Sequence, residues 1–216
     1  MKKIILILVL VLSCTSIVFA ADGQDEAKNS FAKTMEQRRE KAISEYGDAL
    51  ANNPNDAVIY CKRGRISSSR KDQYDLAFSD YDMAIKINPK YAYAYVSRAE
   101  LHNKMENIDK AIDDYTQAIA IDPSYESAYI GRGDSYTKKG RYDLAINDFN
   151  KIIKISPKKP DGYGKLENLY EKQHLYQEAI TVYRKFILTI EQNDNSIYLP
   201  MVSILKDKIR ELGGNP

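Results

Sequence analysis

Histidine and cysteine are scarce in this sequence, with two of each among 216 residues. His102, His174 and Cys61 stand far apart, whereas a metal site needs cysteines and histidines in closely spaced groups. The sequence also lacks a glycine-rich phosphate loop and a nucleophile elbow. We therefore expect no catalytic residue, no metal site and no cofactor, and we predict that the protein is not an enzyme.

An excess of charge of one sign is also absent, because 32 lysines and arginines stand against 30 aspartates and glutamates. Without Lys2 and Lys3, which belong to the leader described next, 30 basic residues would remain against the 30 acidic ones. Proteins that bind nucleic acids neutralise phosphates with a clear basic excess. The charge balance therefore predicts that nucleic acid is not a partner.

The first twenty residues differ in character from the rest of the chain. Lys2 and Lys3 precede the apolar run Ile4–Leu12, and Val18-Phe19-Ala20 ends the segment with a small residue. A basic start, an apolar middle and a small-residue cleavage site are typical of a secretory signal. Residues 1–20 are therefore predicted to be a signal peptide, with the exported chain beginning at Ala21 and residing in the periplasm or outside the cell.

Two other interpretations of this leader remain open. Val11-Leu12-Ser13-Cys14 resembles a lipoprotein cleavage box, which would leave a lipid anchor on Cys14. Residues 4–21 also carry no charge and are just long enough to span a bilayer if the signal is not cleaved. In either case the protein would be anchored in a membrane.

The remainder of the chain repeats itself. Pro89, Pro123 and Pro157 stand 34 residues apart, and similar segments precede each proline. A period of this length indicates a stacked array of small units that bury their apolar faces against one another. Within one unit, the apolar residues of 111–119 form one stripe of an α-helix, and Asp122-Pro123 ends that helix. Because another periodic segment precedes each such helix, we predict an all-α fold of helix–turn–helix units.

The repeats resemble the tetratricopeptide repeat (TPR) family. The resemblance rests on small and aromatic residues that recur in register, best seen in one repeat as Tyr129, Gly133, Tyr136, Ala145, Phe149 and Pro157. The preceding repeat has Tyr95, Ala99, His102, Ala111, Tyr115 and Pro123 at the same places. The resemblance implies a right-handed superhelical solenoid that is closed by a C-terminal capping helix.

The repeat register predicts the division of the chain. The segments are a signal peptide (1–20), an N-terminal tether (21–35), a degenerate first repeat (36–56), three TPR repeats (57–90, 91–124 and 125–158), a divergent TPR repeat (159–193), and a capping helix with its tail (194–216).

Arginine and aspartate vary together between the repeats. Three repeats carry an arginine in the first helix and an aspartate in the second, namely Arg63 with Asp80, Arg98 with Asp114, and Arg132 with Asp148. In the divergent repeat the same two places hold Leu166 and Val182. Because both members change at once, we predict that each arginine forms an ion pair with the aspartate of its own repeat.

In the family, the first helices of the repeats line a concave groove that holds a peptide or a partner helix. The resemblance places eleven residues in this groove: Val58, Cys61, Arg65, Tyr93, Val96, Glu100, Asn103, Ser127, Ile130, Asp134 and Asn168. Tyr93, Val96 and Ile130 are expected to form a partly exposed apolar strip there. Cys61, Val96, Ile130 and Gly164 stand where some members use lysine to hold a C-terminal carboxylate, so such a clamp is not predicted.

The protein is therefore predicted to be an exported adaptor or scaffold that binds a protein or peptide partner in a mostly apolar groove. Its architecture is similar to that of small TPR lipoproteins that assist outer-membrane or pilus assembly, which favours a role in the cell envelope. Two alternatives remain: a structural scaffold that self-associates through its first or last repeat, and a membrane-anchored lipoprotein that acts as an assembly chaperone or pilotin.

Overall fold

The computed structural model describes residues 28–192 and 197–216, so the predicted signal peptide lies outside the described residues. The chain divides into two compact units, 1–54 and 55–216. In the described part of the first unit, one helix (α1) spans residues 28–52. Residues 28–35 of the predicted tether (21–35) are helical and continuous with the segment predicted as a degenerate repeat, and the division of the chain at this point stays a prediction.

The second unit consists of helices in its described residues, and no strand occurs among them. The helices are α2 (Ala57–Ser67), α3 (Tyr74–Ile87), α4 (Ala92–Lys104), α5 (Ile108–Ile121), α6 (Glu126–Lys138), α7 (Tyr142–Ile155), α8 (Asp161–Lys172), α9 (Tyr176–Gln192) and α10 (Leu199–Glu211). A short 3₁₀ turn at Lys71–Gln73 precedes α3, in the repeat that has one extra residue between its helices.

The second helix of each of the first three full repeats ends just before a proline. Asn88 and Asp122 follow α3 and α5, and their side-chain oxygens accept hydrogen bonds from the amides of Lys90 and Ser124. These turns direct the chain away from the helix axis, and the proline that follows cannot continue the helix. The next repeat therefore begins at a fixed distance from the last.

The turns inside three repeats share one backbone conformation. Glu106, Gly140 and His174 occupy equivalent places and have positive φ angles of 61°, 70° and 58°. In each turn the amide of the next residue donates to the carbonyl oxygen five residues earlier, at 2.9 Å. This arrangement closes the end of the first helix and is most favourable for glycine, which only one of the three repeats provides.

The helices form two layers. Each first helix packs against the second helix of its own repeat, and each second helix packs against the first helix of the next. The first helices also contact one another, α2 with α4, α4 with α6 and α6 with α8. These contacts make the first helices the inner layer of a curved array, whose concave surface they line. The fold is thus an all-helical repeat solenoid.

Small residues at the helix crossings bring the backbones close together. Six alanines are fully buried at equivalent places: Ala77, Ala84, Ala111, Ala118, Ala145 and Ala179. Aromatic rings that fill the space beside them are also buried, among them Tyr81, Tyr115 and Phe149. A larger side chain at an alanine position would separate the helices, so these residues fix the spacing of the array.

The last helix covers the end of the array. Leu205 and Ile209 of α10 are buried against α9, and Met201 and Leu212 are half-buried beside them. Lys208 and Arg210 lie on its solvent side. Among the described residues, no helix combines the length and the apolar character that crossing a membrane requires.

Candidate protein-binding surface

The structure brings each repeated arginine against the aspartate of its own repeat. Each guanidinium group donates two hydrogen bonds to one carboxylate, with distances of 2.9 and 2.6 Å from Arg63 to Asp80, 2.8 and 2.7 Å from Arg98 to Asp114, and 2.9 and 2.8 Å from Arg132 to Asp148. The aspartates are buried and the arginines are partly exposed. In the divergent repeat, Leu166 and Val182 are both buried at these places.

The arginines also join neighbouring repeats, which the sequence pattern did not indicate. Nη1 of Arg98 donates to Asp82 of the preceding repeat at 2.5 Å, and Nη1 of Arg132 donates to Thr116 at 3.1 Å. Asp114, as the main hydrogen-bond acceptor, raises the pKa of Arg98 further above its normal range. Each of these two arginines therefore holds its own hairpin closed and ties it to the previous one.

Five of the predicted groove residues meet in one depression on the inner helices. Glu100, Asn103, Ser127, Ile130 and Asp134 line a depression of about 400 Å³, together with Tyr115, Gly131 and Lys138. Burial raises the pKa of Glu100, although the residue still reaches solvent. The structure thus places part of the predicted set together at the junction of two repeats.

The floor of this depression is a hydrogen-bonded cluster. The side-chain amide of Asn103 donates to the hydroxyl of Ser135 in the next repeat at 2.9 Å and to the hydroxyl of Tyr115 at 3.4 Å. Gly131 leaves room for the Tyr115 ring in this cluster, because a Cβ at residue 131 would lie 2.2 Å from that ring. Asn103 is therefore occupied mainly in joining the repeats.

A second depression adjoins the first and shares Asp134 with it. It has a volume of about 420 Å³, and Thr137, Asp161, Gly164, Lys165, Asn168 and Lys172 are among its lining residues. Lys165 donates to both carboxylate oxygens of Asp134, at 2.9 and 2.7 Å, across the junction of the repeats. Asn168 and Lys172 are exposed. Sequence reasoning found Asn168 but missed Lys165 as a lining residue of this surface.

The structure departs from the predicted apolar strip at Val96 and from the predicted groove set at Cys61, whereas Tyr93 and Ile130 are partly exposed as expected. Cys61 is fully buried and Val96 is 3% exposed, because both pack between helices instead of facing the groove. Tyr93 and Ile130 are half-buried against the core, and Val58, which is 44% exposed, is the most accessible apolar side chain among the eleven predicted groove residues. The residues that line the two depressions are mostly polar, and Arg65 is exposed at its predicted place on α2.

Cys61 and His102 both pack against neighbouring side chains in the repeats. Burial raises the pKa of Cys61 to about 12, so its thiol stays protonated. Within residues 28–192 and 197–216, no group of three histidine, cysteine, aspartate or glutamate side chains could hold a metal ion. His102 is half-buried and packs against Phe78, with ring centroids 4.7 Å apart and ring planes inclined by 41°.

Two family comparisons match the repeats. A model described as "Tetratricopeptide repeat" matches residues 92–125, and one described as "TPR repeat" matches residues 133–174. Both matches agree with the buried alanines and aromatic residues of these helix pairs. This chain contains tetratricopeptide repeats. Repeats of this kind generally bind proteins or peptides, and the TPR fold is typically a non-catalytic interaction scaffold.

Solved structures show the same fold as this TPR protein. A crystal structure of MamA has a TM-score of 0.63 and 24% identity, with 76% of this chain and 95% of that chain covered. A tetratricopeptide repeat protein from Parabacteroides merdae has a TM-score of 0.63 and 21% identity, with 86% and 70% covered. PilW, described as a type IV pilus biogenesis factor, has a TM-score of 0.61 and 20% identity, with 73% of each chain covered. A search of curated protein sequences found no match.

Proposed function

We propose that this TPR protein is an exported adaptor that binds a partner protein along the concave face of its repeats. The observation that carries the proposal is the pair of adjoining depressions on the inner helices. Several of their polar side chains, such as those of Glu100, Ser127 and Asn168, point into open space and not into the core. A surface of this kind is available to hydrogen-bond with a partner, while the outer helices hold the array together.

The export part of the proposal rests on the leader sequence. The basic start, apolar run and small residue at Ala20 favour cleavage before Ala21, and Cys14 offers lipidation as the alternative. Intact-mass measurement of the protein recovered from its native cell distinguishes the two. A mass that corresponds to a chain starting at Ala21 is expected, whereas a chain starting at Cys14 with added acyl mass would establish the lipoprotein.

A role in envelope assembly, as an assembly chaperone or pilotin, is the narrower form of the proposal. It is supported by the leader sequence, which favours export, and by the fold that the chain shares with PilW, described as a type IV pilus biogenesis factor. An extended groove that is polar and moderately charged suits transient partners, because such an interface is easily reversed.

The proposed binding surface can be tested by capture from the native envelope fraction with the full chain as bait. Ser127→Arg places a bulky charged side chain in the first depression without removing a packed group, since Ser127 is exposed. The matched control is Gln117→Arg, an exposed position on the outer helix α5. We expect Ser127→Arg to lose the captured protein and Gln117→Arg to keep it, with equal urea midpoints. Equal capture by both variants would contradict a concave binding surface.

Self-association is a second candidate function, and the C-terminal end of the array favours it. Leu188 of α9 and Leu199 and Ile204 of α10 are 53%, 44% and 64% exposed. Apolar side chains of this size near the end of a solenoid are suited to pairing with a second copy. Light scattering on the full chain decides between the two: a monomer without partner supports the adaptor, whereas a dimer that Ile204→Lys dissociates supports the scaffold.

A further inference from the structure

The divergent repeat differs from the others at the place where they hold an arginine. In the preceding repeat, the Arg132 guanidinium lies 5.9 Å from the centroid of the Tyr136 ring, and its Nη1 donates to Thr116 at 3.1 Å. The counterparts of these three residues, 34 positions later, are Leu166, Tyr170 and Asn150. Leucine is shorter than arginine and has no hydrogen-bond donor. The divergent repeat therefore keeps the tyrosine and a polar side chain without an arginine between them.

A notch lies at this place. Its volume is about 240 Å³, which corresponds to about eight water molecules and is enough for one long side chain. The notch lies between the outer helices α7 and α9, with residues of α8 at its base, and Ile153, Tyr163, Leu166 and Val182 form its buried apolar wall. Glu178, Thr181 and Lys185 line it from α9 and are exposed, so the notch opens to solvent beside the outer helices and not on the concave surface.

The charge beside the notch changes together with the loss of the arginine. The place of Glu178 holds Lys110 in the repeat of Arg98 and Leu144 in the repeat of Arg132. Burial, and with it the nearby Glu178 carboxylate, raise the pKa of Tyr170, which places that carboxylate close to the phenol. Glu178 forms no ion pair with another residue of the described ranges. An acidic partner for a cation thus stands here only in the repeat that lacks its own arginine.

The other charge on the notch is basic but lies at its far end. Lys185 follows Glu178 by seven residues on α9, a rise of about 10 Å, and it is exposed, so its amine can extend into water. At the Glu178 end, a carboxylate and the amide oxygen of Asn150 are both hydrogen-bond acceptors beside the Tyr170 ring. A guanidinium group suits this set, because it is a planar cation with several donors and stacks on aromatic rings.

We propose that this notch binds an arginine side chain of a partner protein, whose guanidinium lies over Tyr170 and donates hydrogen bonds to Glu178 and Asn150. The partner supplies from outside the group that Arg132 supplies within its own repeat. The methylene stem of the bound arginine packs on Leu166 and Val182, which fill the place of the internal ion pair. The inference goes beyond the proposed function, because this notch lies on the outer layer and shares no residue with the two concave depressions.

Saturation-transfer-difference NMR on the full chain tests the proposal with two small probes. One is Nα-acetyl-arginine methylamide, and the other is its apolar counterpart, Nα-acetyl-norleucine methylamide. Titration gives the dissociation constant of each probe. We expect the arginine probe to bind with a Kd on the order of 1 mM, as a small fragment does, and at least about fivefold more tightly than the norleucine probe.

Variants of the chain show where the probe binds. Leu166→Arg with Val182→Asp reproduces the internal pair of the preceding repeat, so its own guanidinium should fill the notch and weaken the arginine probe by at least about tenfold. Glu178→Gln keeps the shape but removes the charge, and should weaken binding by about threefold to fivefold because Glu178 is exposed. The matched control is Asp143→Asn, an exposed carboxylate in the first turn of α7, which should bind as the parent does.

Three results would overturn the inference. They are equal binding of the norleucine and arginine probes, which would indicate an apolar site, unchanged binding to Glu178→Gln, and no binding to the parent chain. The glutamine variant keeps the test valid if the double variant does not fold. These results leave the concave surface to its own test, since Ser127→Arg lies outside the notch and should bind the arginine probe as the parent does.

Discussion

Replacing Arg132 with leucine should show how strongly the arginine–aspartate pairs hold the array together. The change removes two donors, at 2.9 and 2.8 Å, from the Asp148 carboxylate. The side chain of Asp148 is only 6% exposed, so water cannot fully replace those donors. A buried charge that loses its partner costs about 3–5 kcal/mol. Because Arg132 is itself 17% exposed and its loss admits some water, we expect a decrease of about 3 kcal/mol in the free energy of unfolding.

The reverse change should cost less. Asp148→Val leaves the Arg132 guanidinium with its hydrogen bond to Thr116 and with access to solvent, so we expect a loss of about 1–2 kcal/mol. The double variant, Arg132→Leu with Asp148→Val, reproduces the buried Leu166 and Val182 of the next repeat. Apolar pairs of similar volume often replace buried ion pairs at little cost, so the double variant should lie within about 1 kcal/mol of the parent.

Urea unfolding followed by circular dichroism measures all four proteins. A control is Lys206→Ala, which breaks an exposed pair with Glu191 whose atoms are 3.4 Å apart, and which should cost no more than about 0.5 kcal/mol. A double variant that loses the sum of the two single losses would show that Arg132 and Asp148 do not stabilise each other.

Three further changes address pH dependence and backbone strain. Burial lowers the pKa of His102, so the fold favours its neutral form and should lose stability as the pH falls below about 6.5; His102→Tyr should remove this loss. Burial and the neighbouring Glu171 raise the pKa of Glu167 to about 7, so the fold favours the protonated form and should lose stability as the pH rises from about 4.5 through 7. Glu167→Gln should abolish that second loss. Glu106→Gly should stabilise the protein by up to about 1 kcal/mol, since φ is already 61° there.

Urea titrations at several pH values measure the two ionisable groups separately, because their effects have opposite signs. An unchanged pH dependence in His102→Tyr or in Glu167→Gln would contradict the assignment of that group. For the turn, Gly140→Ala is the matched control, because its φ of 70° should make alanine cost about 1 kcal/mol. Destabilisation by Glu106→Gly would mean that the glutamate side chain contributes more to the stability of the fold than relief of the backbone strain would add.

The repeat register and the all-helical fold followed from the sequence because packing imposes a strict period on each unit. Ala111 and Ala145 are small for the same physical reason, and Pro123 and Pro157 end helices in the same way. The register also placed Arg98 beside Asp114, since concerted changes between repeats reveal a contact. These inferences needed only local pattern and the rule that each unit covers its neighbour.

The character of the groove could not be predicted in the same way. A register assigns a residue to one face of a helix, but it does not give the angle at which the next repeat covers that face. Val96 was therefore expected at the surface, whereas the structure buries it between repeats. Lys165 approaches Asp134 only after two repeats have stacked, because the two residues are 31 positions apart in the sequence. Gly164 stands where the other repeats carry Cys61, Val96 and Ile130, and only the structure shows that neighbouring side chains leave open space beside it.

Site-specific photo-crosslinking in the native cell tests the concave binding surface most directly. A photoreactive amino acid is placed at Ser127 or Asn168 on the inner helices, and at Gln117 on the outer helix α5 as the control. If the partner binds the concave surface, we expect the same crosslinked protein from both inner positions and none from Gln117. Crosslinking only from Gln117, or from Ile204 to a second copy of the chain with none from the inner positions, would contradict it.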